Sequence, residues 1–375
     1  MPKVLLKEVV ERIKDKVDKD NTHLKYYIGG EHFDYGEVCV TKRALIEGST
    51  IGPAFHMRFM PGDVLLMSRN PHLRKSGVVD FEGLCSDVSY VCRTKNEGIL
   101  MQSYLPFIFQ TDHFWDFAEQ NKHGSTNYFL NWTDFEKYEF ELPTIEIQKE
   151  LVKVLWEAQK LKMGYQKMLL ATDELVKSQF IEMFGDPITN NYNWEVAPLK
   201  EVAPETVANV PKQEEYWWLN LDMIESYSGC LIERVVTKSE DIGNSTAAFD
   251  DSMVLYSKLR PYLNKVFVPK EHGFATTELV RLTPDPRRLN KYFLFNLLRG
   301  DEFVVYANSI SSGAQMPRMP MKELREFSCI LPPMELQNEF VAFAEQIDKS
   351  KFELKKSIEN VSNLIKILMQ QDFSN

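Results

Sequence analysis

The sequence lacks the features that mark secreted, disulfide-stabilised and membrane proteins. Its five cysteines form no Cys-x-x-Cys pair, which argues against a disulfide framework or a cysteine zinc site and fits a reducing cytosol. No apolar run approaches the roughly 18 to 20 residues that a membrane-spanning helix needs. The charged N-terminal stretch, MPKVLLKEVVERIKDKVDKD, has no apolar core of the kind found in signal peptides. We therefore expect a soluble cytoplasmic protein.

Catalytic signatures are also missing. There is no G-x-x-x-x-G-K-[ST] phosphate loop, no H-E-x-x-H and no G-x-S-x-G, and the seven histidines show no ligand spacing. Asn70-Pro71-His72-Leu73 matches the Asn-Pro-Pro-aromatic motif of amino-methyltransferases only in part, and no glycine-rich cofactor loop precedes it. Acidic residues cluster between 134 and 146, where we favour a solvated face that docks a partner over a metal nuclease site. The sequence predicts no catalytic residue, no metal and no cofactor.

Length and composition indicate more than one globular domain. The chain has 375 residues, of which 44% are apolar and 26% charged, so it can bury two cores or slightly more. The net charge is −10, so any nucleic-acid contact must come from local basic patches or from partner subunits.

An internal repeat dominates the sequence. Shifting the chain against itself by 189 residues aligns long stretches without gaps, and near the two starts Leu6-Lys7-Glu8-Val9 recurs as Leu199-Lys200-Glu201-Val202. The unit is far longer than a solenoid repeat of roughly 20 to 50 residues. It is a duplicated domain with a duplicated connector. The pairs that carry the alignment include Ser68 with Ser257, Asp112 with Asp301, Gly124 with Gly313, Leu142-Pro143 with Leu331-Pro332, Gln148 with Gln337 and Lys162 with Lys351.

The connectors read as long helices. Residues 145–184 contain no proline and a single glycine, Gly164, and Gly185-Asp186-Pro187 should end the helix. Apolar residues recur in steps of three and four, which is the pattern of a coiled-coil seam. Forty residues at about 1.5 Å each would give a rod of roughly 60 Å. Two such rods should pack antiparallel, although ordinary long helices within one compact fold remain an alternative. The seam residues that we predict are Leu151, Val154, Leu161, Met168 and Leu175 in the first helix and Phe343, Ile347, Leu354, Val361 and Leu368 in the second.

Three segments carry a family resemblance. They are Leu142-Pro143-Thr144-Ile145-Glu146-Ile147-Gln148-Lys149 with its second copy Leu331-Pro332-Pro333-Met334-Glu335-Leu336-Gln337, the helix end Met183-Phe184-Gly185-Asp186-Pro187, and the run from Val254 to Lys265 (VLYSKLRPYLNK). In these segments and in its whole layout the sequence resembles the specificity (S) subunits of type I restriction–modification systems. It departs from the family pattern at Thr144, where a second proline is common, and at LMSRNPHLR (66–74), which matches the Ser-Lys-Leu-Arg segment poorly.

The resemblance implies a fold and a function. The expected fold is α+β, with two similar mixed α/β target-recognition domains separated by two long antiparallel coiled-coil helices in a pseudo-two-fold repeat of about 189 residues. The domains would span 1–142 and 188–331, with the first helix and turn at 143–187 and the second helix at 332–375. Each domain would read half of a split, asymmetric target in double-stranded DNA. The expected partners are two methyltransferase subunits and the restriction and translocation subunits, and the chain itself would be non-catalytic.

The residues offer two clusters that suit DNA recognition. Phosphates attract Lys and Arg, and base edges pair with Arg, Lys, Asn and Gln. The shift of 189 places Arg69 on Lys258, so each half carries a cation after an aligned serine. Glycine-centred polar loops at 121–128 and 311–318 form the second cluster. Surface charges and plain connecting loops are the alternative interpretations. The residues that we predict to contact DNA are Arg69, Arg74, Lys75, Asn127, Lys258, Arg260, Tyr262, Lys265, Gln315 and Arg318.

Two other functions remain open. Twin domains on a coiled coil would also suit an adaptor that binds proteins rather than DNA. A self-contained restriction enzyme is disfavoured by the missing catalytic motifs.

Overall fold

The computed structural model describes residues 2–243, 245–313 and 315–371. It divides into two compact units, the first formed by Met1–Gln166 and Lys355–Asn375 and the second by Lys167–Leu354. Each unit thus combines a globular part with pieces of both long helices. The domain boundaries expected from the repeat remain a prediction.

The first unit begins with ten strands and four short helices. The helices are α1 (Leu6–Val9), α2 (Leu105–Ile108), α3 (Asp112–Gln120) and α4 (Trp132–Phe135), followed by the long helix α5 (Ile145–Phe184). The strands are β1 (Lys3–Leu5), β2 (Val10–Ile13), β3 (Tyr26–Ile28), β4 (Ala44–Leu45), β5 (Phe55–Phe59), β6 (Val64–Met67), β7 (Ser76–Val78), β8 (Gly83–Ser86), β9 (Ser89–Thr94) and β10 (Glu139–Glu141).

The second unit follows a similar order of elements. Its helices are α6 (Leu199–Val202), α7 (Lys291–Arg299), α8 (Asp301–Ile310), α9 (Met321–Arg325) and the long helix α10 (Met334–Gln371). Its strands are β11 (Val196–Pro198), β12 (Glu215–Leu219), β13 (Val235–Lys238), β14 (Thr246–Phe249), β15 (Val254–Ser257), β16 (Val266–Phe267), β17 (Gly273–Thr276), β18 (Leu279–Leu282) and β19 (Ser328–Ile330).

Each unit contains three small sheets with matching strand orders. In the first unit the orders are β1-β10, β2-β9-β6-β7 and β4-β3-β8-β5. In the second they are β11-β19, β16-β15-β18 and β13-β12-β17-β14. The pairs β3-β8 and β12-β17 are parallel, and all other pairs are antiparallel. The mixed sheets agree with the mixed α and β composition that the sequence indicated.

The registers of these sheets correct the shift inferred from the sequence. Val64 lies opposite Cys92 in the first unit, and Val254 lies opposite Leu282 in the second. The corresponding residues are therefore 190 positions apart here (254 − 64 and 282 − 92), not 189. The helices α3 and α8 return to 189, since they begin at Asp112 and Asp301. One residue is lost between strand and helix in the second copy.

The long helix α5 begins and ends where the sequence predicted. It spans Ile145–Phe184, directly after Pro143-Thr144 and directly before Gly185. Gly185 has a φ of +71°, and its NH donates to the carbonyl of Ile181 at 2.8 Å, which caps the last turn. Among the described residues, no helix has both the length and the apolar character needed to cross a membrane.

Pieces of both long helices enter the core of each unit. In the second unit the rings of Phe180 and Phe340 lie 5.3 Å apart, and Lys351 binds Asp173 at 2.6 Å. Because the partner number falls as the chain advances along α5, these helix segments run antiparallel. In the first unit Leu155 of α5 and Met369 of α10 lie in one core with Phe114. Aromatic pairs of this kind contribute about 0.5–1.5 kcal/mol each beyond their buried area.

The buried face of α5 differs from the seam that we predicted. Val154, Leu161, Met168 and Leu175 are 46–55% exposed, and only Leu151 packs partly against a core. The reason is that hydropathy alone selected the stripe, whereas the buried stripe includes polar positions. The buried residues of the helix are Leu155, Ala158, Gln159 and Lys162 in the first unit and Val176, Phe180 and Phe184 in the second.

The second helix agrees better with its predicted seam. Phe343 and Ile347 pack partly against the core of the second unit, and Leu368 packs against that of the first. Leu354 and Val361 are half-buried.

Candidate nucleic-acid interface

The same strained turn follows the central strand in each unit. In the first unit it is the 3-10 turn Pro71–Leu73, and in the second it is Pro261–Leu263. The flanking residues have left-handed backbone conformations with φ between 46° and 51°, which a residue other than glycine adopts at a cost of order 1–3 kcal/mol. These flanking residues are Asn70 and Arg74 in the first unit and Arg260 and Asn264 in the second.

The glycine-centred loops also share a geometry. His123 and Phe129 exchange backbone hydrogen bonds of 2.8 and 3.0 Å, and Ser312 and Arg318 do so at 3.2 and 2.9 Å. Gly124 sits inside the first loop at a φ of +92°, where an added Cβ would lie 2.8 Å from the carbonyl of Asn127. Gly313 has a φ of +108°. Both loops therefore require glycine at this position. Residue 314 of the second loop lies outside the described residues.

The structure brings the strained turn and the glycine loop together in each unit. The NH of Asn70 donates to the carbonyl of Tyr128 at 2.9 Å, and the NH of Arg260 donates to that of Pro317 at 2.7 Å. Arg69 and Leu259 each form an isolated bridge with the returning loop strand. The two clusters that the sequence analysis treated separately thus form one surface per unit. We call them the first loop surface (68–70 with 123–129) and the second loop surface (258–260 with 312–318).

Side chains of the first loop surface combine cations, amides and rings. Arg69 is exposed, and its guanidinium lies 5.4 Å from the centre of the Phe129 ring. Asn127 is exposed, and Lys122 lies over the Tyr128 ring at 4.1 Å. An Arg held over an aromatic ring keeps its donors free for a phosphate or a guanine edge.

One loop residue is anchored by a charge pair. His123 Nε2 lies 2.9 Å from Asp134 Oδ2, and Lys137 lies 3.3 Å from the other oxygen. Burial opposes ionisation of Asp134, but the bonds from His123, from the NH of Asn131 and from Lys137 outweigh it and lower the pKa of the carboxyl. Asp134, which we first placed in an acidic docking face, therefore holds the recognition loop.

The second loop surface presents a different set of side chains. Arg318 is exposed and pairs with Glu278 at 3.2 Å. Gln315 is exposed beside it in the sequence, and Tyr262 is 42% exposed. Arg260 is half-buried, and its Nε has no hydrogen-bond partner among the described residues. Lys258 is half-buried, and its carbonyl accepts from the NH of Met319 at 2.9 Å.

Three predicted DNA contacts have internal partners instead. Lys75 Nζ donates to the carbonyl of Gly30 at 2.6 Å, and Lys265 Nζ donates to that of Leu221 at 2.7 Å. Burial lowers the pKa of Lys265, which Asp222 partly offsets. Arg74 pairs with Asp112. These cations tie segments of their own unit together, so we leave them out of the candidate interface.

The register also changes which residues correspond. The NH of Ser68 donates to Val88 O, and the NH of Lys258 donates to Glu278 O, so Lys258 matches Ser68 and not Arg69. Arg69 matches Leu259, and Asn70 matches Arg260. Sequence reasoning missed Asn70 and Phe129 in the first surface and Glu278 in the second. The shared pattern x-Pro-x-Leu, aligned at 190, would have identified the first of them.

Comparison with known proteins gives three findings. Residues 191–362 match the family model described as "Type I restriction modification DNA specificity domain". A stretch of 154 residues, 40% of the chain, is 25% identical to the type I restriction enzyme EcoDI specificity subunit of Escherichia coli. That match spans 34% of the relative, about a third of its length.

Solved structures share the fold over nearly the whole chain. One is a chain from a study of complex assembly and conformational transition of the type I R-M system, with a TM-score of 0.56, 16% identity, and coverage of 99% of this chain and 97% of that one. Another is the type I restriction–modification system S subunit from M. genitalium, with a TM-score of 0.55, 13% identity, and coverage of 100% and 96%. At these identities the similarity shows the fold alone.

Proposed function

Since the chain carries a type I restriction–modification DNA specificity domain at residues 191–362, we propose that it is the non-catalytic specificity subunit of such a complex. Each loop surface would read one half of a split, asymmetric target in double-stranded DNA. The observation that carries this proposal is the meeting, in both units, of a strained turn with a glycine loop that bears exposed Arg, Asn or Gln side chains. These are the side chains that pair with base edges.

The proposal includes different half-sites for the two surfaces. The backbone hydrogen bonds of the turn and loop match between the units, but the side chains do not. Asn70 corresponds to Arg260, and the exposed Arg69 corresponds to Leu259. A shared frame with different donors suits two readers of unlike sequences.

The duplicated frame supports an internal repeat. The strand orders match sheet by sheet, and the short helices α1 and α6 carry the same sequence, Leu-Lys-Glu-Val. We propose that the two long helices form a coiled coil that sets the spacing of the half-sites. A helix of 40 residues is about 60 Å long, whereas one turn of B-DNA is about 34–36 Å.

The exposed stripe of α5 supports docking of methyltransferase subunits. Ile147, Val154 and Leu161 are spaced by seven residues in the first unit and are 41–48% exposed. A heptad-spaced apolar face on a long helix suits packing against a partner helix. The restriction and translocation subunits would join through the methyltransferases.

Reconstitution tests the proposal. The chain is co-expressed with the candidate methyltransferase of its own genome, the complex is purified, and methylated bases are sequenced after incubation with genomic DNA and S-adenosylmethionine. We expect one bipartite methylated motif and a gel shift that weakens as salt rises. Co-purification without any methylated motif or sequence-dependent shift would favour a protein-binding adaptor.

A further inference from the structure

A cavity of about 380 Å³ lies in the first unit, away from the first loop surface residues. It is lined by the start of α3, by α5 and by the last turns of α10. Its volume falls at the lower end of the range of about 300–1,000 Å³ that small-molecule sites occupy. The lining residues that matter below are Tyr35, Arg74, Gln110, Gln159, Lys162 and Lys366.

Gln159 gives this cavity an unusual polar wall. Its side chain is 1% exposed, yet neither its amide oxygen nor its amide nitrogen has a hydrogen-bond partner among the described residues. Gln110 donates its amide nitrogen to the carbonyls of Glu37 and Ser76 at 2.9 Å, and its own oxygen is left without a described partner. Buried amides are nearly always hydrogen-bonded, because desolvating them otherwise costs stability. The cavity thus offers two acceptors and one amide donor.

The charges around the cavity favour an anion. Lys162 is 8% exposed and binds Glu37 at 2.8 Å. Lys366 binds Asp112 at 2.8 Å, and Arg74 binds the same carboxylate. Three cations therefore face two carboxylates, which leaves one positive charge.

The second unit shows that the fold does not require these amides. Counting 189 residues on, Gln110 corresponds to Arg299 and Gln159 to Asp348. Arg299 donates to the carbonyl of Tyr227, and Asp348 and Asp173 act on its charge. There the same place holds a charged set with mutual partners. The unsatisfied amides are a property of the first unit alone.

We propose that this cavity binds an amino-purine nucleoside monophosphate of the adenine type. The adenine edge presents an amino donor and a ring-nitrogen acceptor, which is the arrangement that a Gln amide pairs with on both sides. The oxygen of Gln110 would accept a further donor. The phosphate would balance the surplus charge of Lys162, Lys366 and Arg74. Tyr35, 65% exposed, offers a ring on which the base can stack.

Calorimetric titration of the full chain with adenosine 5′-monophosphate tests this. We expect saturable one-site binding below about 1 mM, and binding of ribose 5-phosphate at least about tenfold weaker, since it lacks the base. Equal binding of both compounds would show an adventitious anion site only, and no binding of either would overturn the proposal.

Two variants locate the site. Gln159→Leu should abolish binding while keeping or raising the melting temperature, because the amide has no described partner to lose. Gln346→Leu, on an exposed glutamine of α10, is the matched control and should bind normally. Should Gln159→Leu fail to fold, Gln159→Met replaces it. Unchanged binding in the folded variant would overturn the assignment.

A competition distinguishes a free nucleotide from one within DNA. Duplex DNA that carries the target should leave nucleotide binding unchanged. Displacement by the duplex would contradict a free-nucleotide site.

Discussion

Gln148 and Gln337 make the same three hydrogen bonds in the two units. Both are fully buried near the start of a long helix, and their side-chain oxygens accept from the NH groups of Met101 and Asn290 at 2.9 Å. The amide nitrogens donate to the carbonyls of Pro143 and Ile99 in the first unit and of Pro332 and Arg288 in the second. Each glutamine therefore fastens its helix to the globular part beside it.

Replacing this glutamine should destabilise the protein. Gln148→Leu removes the partners of one buried NH and two carbonyls, and unsatisfied buried groups cost about 1–3 kcal/mol. We expect a lower midpoint in urea, read by circular dichroism. Gln346→Leu is the exposed control and should unfold at the wild-type midpoint. An unchanged midpoint for Gln148→Leu would show that the three bonds contribute nothing net.

Changing the exposed arginines should alter one half-site each. Arg69→Ala should relax recognition of the first half-site and Arg318→Ala that of the second, by about 1–3 kcal/mol for a lost base contact. Competition binding with half-site mutants measures this, and sequencing of methylated bases checks it in cells. Arg287→Ala is the control, because Arg287 is an exposed cation that pairs with Asp285 outside the loop surface. Loss at both half-sites in one variant would contradict separate readers.

Shortening the long helices should change the spacer. Removing seven residues from each helix keeps the heptad phase and shortens a rod by about 10.5 Å, close to three base pairs at about 3.4 Å. The half-sites should stay the same while the spacer contracts. Removing four residues breaks the phase and should disrupt assembly. A spacer unchanged after the seven-residue deletion would show that the helices do not set it.

The exposed stripe of α5 should matter for assembly but not for folding. Leu161→Glu changes a side chain that is 48% exposed, so the melting temperature should hold. Co-purification with the methyltransferase should fall severalfold, because a charge would be buried in an apolar interface. Lys160→Glu, exposed on the same helix, is the control for charge. Equal capture of wild type and Leu161→Glu would remove this stripe from the interface.

Acid should weaken the first unit through Asp112. Its bonds with Lys366 and Arg74 lower the pKa of the carboxyl below its usual value. The folded state therefore gains stability from this group above the unfolded pKa of about 3.9, and loses it as pH falls through the lower folded pKa. Asp112→Asn should lose less stability than wild type between pH 6 and pH 3, measured as the difference in urea midpoints. Parallel pH profiles would show that the pair contributes nothing.

Local patterns predicted several elements well. The bounds of α5 follow from Pro143 before it, Gly185 after it and the absence of proline between. The strand predicted at 63–67 is β6, and that at 278–282 is β18, each to within a residue. The helical segment 104–120 is two helices, because the carbonyl of Ile108 accepts from the NH and the hydroxyl of Thr111, which then caps α3. The resemblance to type I specificity subunits is confirmed by the family match at 191–362.

Other predictions needed contacts that the sequence does not display. The hydroxyl-like role of a polar side chain at a buried position, such as Gln159, cannot be read from hydropathy, and so the seam of α5 was placed one position away from its buried face. The one-residue difference in shift between β6 and α3 is visible only in the strand registers. Lys75 and Lys265 resemble surface cations until Gly30 and Leu221 are found beside them.

The sequence by itself determined the duplication, the two long helices and the family, because each depends on neighbouring residues or on identity at a regular distance. Tertiary structure alone decided which helix face is buried, which cations are free, and that a turn and a glycine loop some 55 residues apart form one surface. These outcomes depend on pairings between distant segments, whose energies no local pattern encodes.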